Sequence, residues 1–258
     1  MFMKKGTDWS REETIIAFYV YCIVPFSKSS KKNSVIIHYA NILGRTPSAL
    51  HMKISNIGRL DPELKEKNIT GLTHGSKIEE DVWNEFESDR ESLVLEAEKI
   101  IERMSKKTLE DAYLNVYEKK YTGEEKERLV RMRVNQNFFR SSILSAYNNT
   151  CAITGMKINE LLIASHIKPW AKDINNRLNP HNGICLNVIH DKAFDQGYIT
   201  IDKHYRIIIA REIRKYCENS FVNDVFYKYD RQTILIPNKF KPSLEFLEYH
   251  NDMIFKGG

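Results

Sequence analysis

Apolar residues in the first third of the chain recur at helical spacing, interrupted by residues that start or stop helices. Ser10, with Glu13 three residues on, forms a capping-box signature for a helix running to about residue 24. Pro25 and the polar run 27–33 end it. A second apolar helix is predicted from Ser34 to Leu43, stopped by Gly44. Thr46-Pro47 opens a third, with proline at the favoured first helical position, through Ile54. A second capping box, Ser76 with Glu79, begins a charged helical stretch. Its apolar stripe is Val82, Trp83 and Phe86, then Leu93, Ala97, Ile100, Ile101 and Met104.

The texture changes after a helix predicted around 137–147. Tyr198-Ile199-Thr200-Ile201, a polar turn at Asp202-Lys203-His204 and the run 205–210 read as a hairpin. Ile234-Leu235-Ile236-Pro237 reads as another short strand, and Pro242-Ser243 opens a last helix. The fold class expected is α+β. The three N-terminal helices, with their tight glycine turn, resemble a helix-turn-helix or Myb-like unit.

Candidate chemistry is concentrated between Cys151 and Asp202. A short apolar strand, 161–164, delivers His166, followed by Ile167-Lys168-Pro169-Trp170. Asn182 stands in an Asn-Pro-His-Asn-Gly turn before the apolar Ile184-Cys185-Leu186. His190 opens a helical His190-Asp191-Lys192-Ala193-Phe194-Asp195. Strand, loop, strand and helix thus present His, Asn and His towards one place. Histidine can take a proton from water at neutral pH.

With Pro169, Gly183, Phe194, Asp195 and Gly197 also in place, this segment resembles the HNH nucleases, whose ββα-metal fold grips one divalent cation. The likeness extends to Val134-Asn135-Gln136 and Phe139-Arg140 before it, and to Pro242, Phe246-Leu247-Glu248-Tyr249-His250 and Phe255 after it. The resemblance implies His166 as general base, Asn182 as the residue that fixes the loop, and His190 as a metal ligand. It implies one Mg²⁺ or Mn²⁺ per site. Many relatives carry Asp or His directly before the base; here Ser165 stands there, with Asp195 and Asp173 as candidate substitutes. The paired CxxC motifs of zinc-ribbon members are lacking, so no structural zinc is expected, and Cys151 and Cys185 read as small buried hydrophobes. Gln136, Arg140 and Lys168 are expected DNA contacts of the nuclease domain. His181 reads as an exposed turn residue or a phosphate contact, and His250 as structural.

Charge extends this picture. The 258 residues carry 39 Lys+Arg against 34 Asp+Glu, a net +5. Residues 1–60 hold 9 basic and 3 acidic side chains, and residues 61–108 hold 8 and 13, so a basic N-terminal region precedes an acidic one. Arg45, Lys53 and Arg59, on or beside the third helix, are the expected phosphate contacts, and Ser48 and His51 the base-reading candidates. The organisation expected is a helical DNA-binding domain at 1–72, a helical connector at 73–125 and the nuclease domain at 126–258. No apolar run approaches the roughly 20 residues of a membrane span. There is no signal-peptide pattern, and four scattered cysteines suit a reducing cytoplasm. The function expected is a metal-dependent endonuclease on double-stranded DNA, of restriction or phage-defence type and acting as a homodimer. The alternatives are a DNA-binding regulator with a degenerate nuclease domain and a modification-dependent nuclease.

Overall fold

The computed structural model describes residues 8–69, 75–105, 112–114, 120–216 and 218–257. The expected domain junction at 72–73 and Cys217 lie outside these. The chain divides into two units, residues 1–142 and 143–258.

The first unit is helical: α1 (Arg11–Ile23), α2 (Ser34–Leu43), α3 (Pro47–Gly58), α4 (Pro62–Glu66), α5 (Lys77–Phe86), α6 (Arg90–Ser105) and most of α7 (Gly123–Ala146). Every residue of α1 from Glu13 to Cys22 is buried, so the helix serves as the axis on which α2, α3, α5 and α6 pack. Phe18 stacks on Trp83 at 4.9 Å, and the Arg90 guanidinium lies over the Phe18 ring at 4.6 Å. The helix stops follow local chemistry. Gly44 takes φ +66°, which a side chain resists, and Thr46 Oγ1 accepts from the Ala49 N–H at 3.1 Å. Beyond Ile54, α3 continues for another turn to Gly58.

Both capping boxes form, and each glutamate also takes a buried cation. Glu13 accepts the Ser10 N–H at 3.0 Å and also the Arg45 guanidinium, Nη2 to Oε2 at 2.7 Å and Nε to Oε1 at 3.1 Å. Glu79 accepts the Ser76 N–H at 3.1 Å and is ion-paired with Lys53 Nζ. Arg45 is 5% exposed and Lys53 6%, and both lie over the Trp9 ring. Arg59 donates to Glu80 at 3.0 Å. Arg45 and Lys53, the expected DNA contacts, are thus each enclosed and ion-paired with a glutamate of α1 or α5.

The second unit holds β1 (Leu162–His166), β2 (Gly183–Asn187), α8 (Val188–Asp195), β3 (Ile199–Ile201), β4 (Ile207–Ile209), α9 (Arg211–Arg214), α10 (Ser220–Val225) and α11 (Leu244–Met253). It is α+β, with two antiparallel two-stranded sheets. In the first, His166 faces Gly183 and Leu162 faces Asn187, and α8 packs on both strands. In the second, Ile199 faces Ile209. The stretch 234–236 is not a strand. Thr233 makes a single bridge to Arg206, and the Leu235 N–H turns to the Ala152 carbonyl at 2.8 Å.

Gly197 combines φ +71° with a close approach: an added Cβ would meet the Ile254 carbonyl oxygen at 2.0 Å. The adjoining α11 is anchored by His250, stacked on Phe194 at 3.7 Å and bonded to Thr200 Oγ1 at 2.8 Å and the Phe194 carbonyl at 3.1 Å. Burial pushes that imidazole down to about 4.

Removing Glu13 leaves the Arg45 charge enclosed without its carboxylate. Glu13→Ala is expected to destabilise the first unit by about 3–5 kcal/mol in denaturant unfolding. Adding Arg45→Met to that variant should recover most of the loss, because the orphaned charge is then gone.

Candidate active site

His166 ends β1 beside the Lys168–Asn182 connection. Its Nε2 lies 3.0 Å from the Arg177 carbonyl. A carbonyl only accepts, so Nε2 carries the proton and, in the neutral ring, Nδ1 keeps the lone pair. Burial pushes the imidazole below its ordinary range; the Arg177 carbonyl opposes this and the nearby Arg177 charge adds to it. The ring is therefore neutral at pH 7, the form a proton acceptor needs.

Asn182, 1% exposed, clamps this connection. Its Oδ1 accepts the Lys168 N–H at 2.8 Å, and its Nδ2 donates to the Lys168 carbonyl at 3.1 Å and the Asn176 carbonyl at 3.3 Å. The Asn182 carbonyl accepts the Ile167 N–H at 3.0 Å. The two residues following His166 are thus fastened to the start of β2.

Trp170 meets the His166 ring edge-on at 5.4 Å. Arg177 lies over the Trp170 indole at 5.0 Å, and its Nε donates to the Trp170 carbonyl at 3.0 Å. No carboxylate pairs with Arg177 among the described residues. Sequence reasoning missed this residue; its signal was a lone arginine in an amide-rich loop, Asn175-Asn176-Arg177. Lys168 is ion-paired with Asp173 at 2.9 Å, and Asp173 also accepts the Asn176 N–H at 3.2 Å and its side-chain amide at 3.0 Å. These bonds hold the Asp173 carboxyl below its usual range. His181 Nδ1 donates to the Lys241 carbonyl at 2.8 Å.

On the helix side of the site, His190 is 2% exposed, with Nε2 2.8 Å from the Val225 carbonyl and Nδ1 3.0 Å from Asn187 Oδ1. Phe226 and Tyr229 face the ring from 5.6 and 5.8 Å. Both nitrogens face oxygen atoms, and the ring fastens α8 to the segment at 225–229.

The next residue, Asp191, is half-buried and sits one turn before Asp195 on α8. Burial pushes the Asp191 carboxyl up, against the Ser165 hydroxyl and the Lys192 charge. Burial and then the Asp191 charge push Asp195 up. Ser165, buried on β1 directly before His166, lacks a regular hydrogen bond from its Oγ, yet faces Asp191 closely enough to favour its ionised form. Two mutually repelling carboxylates with a hydroxyl beside them are hard oxygen donors suited to Mg²⁺ or Mn²⁺. No three His, Cys, Asp or Glu side chains converge on one point among the described residues, so water and substrate oxygens would complete such a shell.

Hairpin, clamp and helix all lie within the segment that matches the HNH endonuclease family, residues 151–202. This segment belongs to the HNH family. No curated protein matches the chain. The HNH segment takes up about a fifth of the sequence, and HNH nucleases typically use a divalent metal. Of the other expected contacts, Gln136 is exposed and Arg140 half-buried on the part of α7 assigned to the first unit. Ser48 is exposed on α3, whereas His51 Nε2 lies 3.1 Å from the Ser29 carbonyl. No helix among the described residues is long and apolar enough to cross a membrane.

Raised carboxyl values mean that the ionised pair opposes folding: the contribution is favourable at low pH and lost as pH rises through the folded-state values. In EDTA, Asp191→Asn should therefore be more stable than wild type above pH 6 and lose that advantage near pH 4. Millimolar Mn²⁺ should raise the Tm of wild type and leave Asp191→Asn unmoved, as read by thermal unfolding.

Proposed function

We propose that the chain is a metal-dependent DNA endonuclease whose C-terminal unit hydrolyses the phosphodiester and whose N-terminal helices hold the duplex. One observation carries this reading: a neutral His166, its Nε2 proton directed to the Arg177 carbonyl, stands beside the Asn182 clamp. Nδ1 of His166 takes a proton from water as the water oxygen forms its bond to phosphorus and the P–O3′ bond breaks. The Arg177 guanidinium, fixed through Nε and stacked on Trp170, holds non-bridging phosphoryl oxygens with its terminal N–H groups. Asn182 keeps His166 in line. Asp191 and Asp195, with Ser165 beside them, would hold the cation, in place of the covered His190. When bound, the cation supplies Lewis acidity and stabilises the departing oxygen.

A single site cuts one strand, so double-strand cleavage requires two copies, consistent with a homodimer. A DNA-holding unit joined to a cutting unit is also what a restriction or defence enzyme needs.

Supercoiled plasmid should be nicked with Mg²⁺ or Mn²⁺, and His166→Ala should lower the rate about 10²–10⁴-fold. Plasmid left intact by both proteins would sink the reading. The acid limb of kcat/KM should fall below the ordinary histidine value near 6.5. Arg177→Gln should move that limb upward, because it removes a charge that disfavours the imidazolium.

The covered His190 and the hydroxyl at Ser165 favour one second reading, a DNA-binding regulator with a silent nuclease unit. Calorimetry decides: one Mn²⁺ site, lost in Asp191→Asn, supports the nuclease, and no heat of binding supports the regulator.

A further inference from the structure

Residues 14–60 contain no aspartate or glutamate, so any cation of α2, α3 and their loops must find its carboxylate elsewhere. Arg45, Lys53 and Arg59 do so, on Glu13, Glu79 and Glu80. Lys28, Lys31 and Lys32, in the connection between α1 and α2, do not. All three are exposed, and none is ion-paired among the described residues.

This connection is a built loop. Phe26–Lys28 forms a 3₁₀ turn. Asn33 caps α2 by accepting from the Val35 and Ile36 N–H groups, and its Nδ2 donates to the Lys28 carbonyl at 3.1 Å. Ser30 Oγ accepts the Lys32 N–H at 3.3 Å. On the other side His51, from α3, bonds the Ser29 carbonyl. A carbonyl acceptor requires a protonated Nε2, so His51 anchors the loop. The loop is thereby tied to both α2 and α3, and α3 has Ser48, Met52 and Ser55 exposed.

Resting on the reading that DNA is the substrate, we infer that the Lys28–Lys31–Lys32 loop is the phosphate-contacting edge of the N-terminal unit, with duplex DNA as its partner. Three unneutralised ammonium groups within five residues of one anchored loop concentrate positive charge where a duplex backbone can meet it, and carry affinity without base preference. Ser48 then remains as a side chain able to reach a base edge, whereas His51 serves the loop.

The test uses the full chain in EDTA, with a 30-base-pair duplex followed by fluorescence anisotropy across a KCl series. Lys28→Gln/Lys31→Gln/Lys32→Gln should weaken binding about tenfold or more and reduce the slope of log K against log[KCl] by about 2–3. The change should be equal on unrelated sequences. The charge-matched control Lys65→Gln/Lys77→Gln/Lys99→Gln should retain the wild-type slope.

Equal losses in both triple variants, or no loss in the first, would overturn the assignment, as would tighter binding of duplex RNA than of duplex DNA. Binding that depends on the loop in a chain that cuts no plasmid would leave this surface standing and remove the nuclease reading. Cleavage with a loop-independent salt slope would do the reverse.

Discussion

The HNH segment depends on one buried amide. Asn182 accepts one backbone N–H through Oδ1 and donates to two carbonyls through Nδ2, all within a loop whose regular structure is one 3₁₀ turn, Pro180–Asn182. A 16-residue connection between two five-residue strands has many conformations to lose, and the strand pairing fixes only its ends. The Asn182 bonds to Lys168 and Asn176 close the loop from inside, which brings Arg177 back to the His166 ring. Proton placement on His166, the stacking of Arg177 on Trp170 and the Lys168–Asp173 pair all follow from that closure. Replacing the amide by an apolar group would leave buried backbone donors and acceptors without partners, an expensive condition in a low-dielectric interior.

Much of the HNH segment was legible in the sequence because its parts are contiguous and each is announced by local chemistry. His166 ends an apolar strand, Asn182 sits in a turn and α8 begins at an asparagine cap, so strand, loop, strand and helix could be read in order. What could not be read was rotation about a helix axis. Successive helical residues point about 100° apart, so His190 and Asp191 face different surroundings although the pattern fits either. The surroundings of His190 are set by Val225, Phe226 and Tyr229, residues some 35 positions away that carry no signal in the motif.

The N-terminal half shows the same limit in electrostatic form. Helix boundaries were legible because capping boxes, Gly44 and Pro47 act over three or four residues. The fate of a cation is set by carboxylates brought up in three dimensions. Arg45 meets Glu13 from 32 positions away, and Lys53 meets Glu79 from 26. Counting charges along the chain therefore selected the cations that folding neutralises and passed over the loop lysines it leaves exposed.

The Lys53–Glu79 pair has a consequence for any attempt to isolate the three N-terminal helices. A truncation ending near residue 72 would keep α3 and discard the carboxylates of α5. Lys53 would then lie over Trp9 and Arg59 at the end of α3, neither with its α5 counter-charge, and the exposed flank of α1 would lose Trp83 and Phe86 as cover. The smallest autonomous piece of this half must therefore extend through α5. Charge balance here sets the minimum length of a foldable fragment.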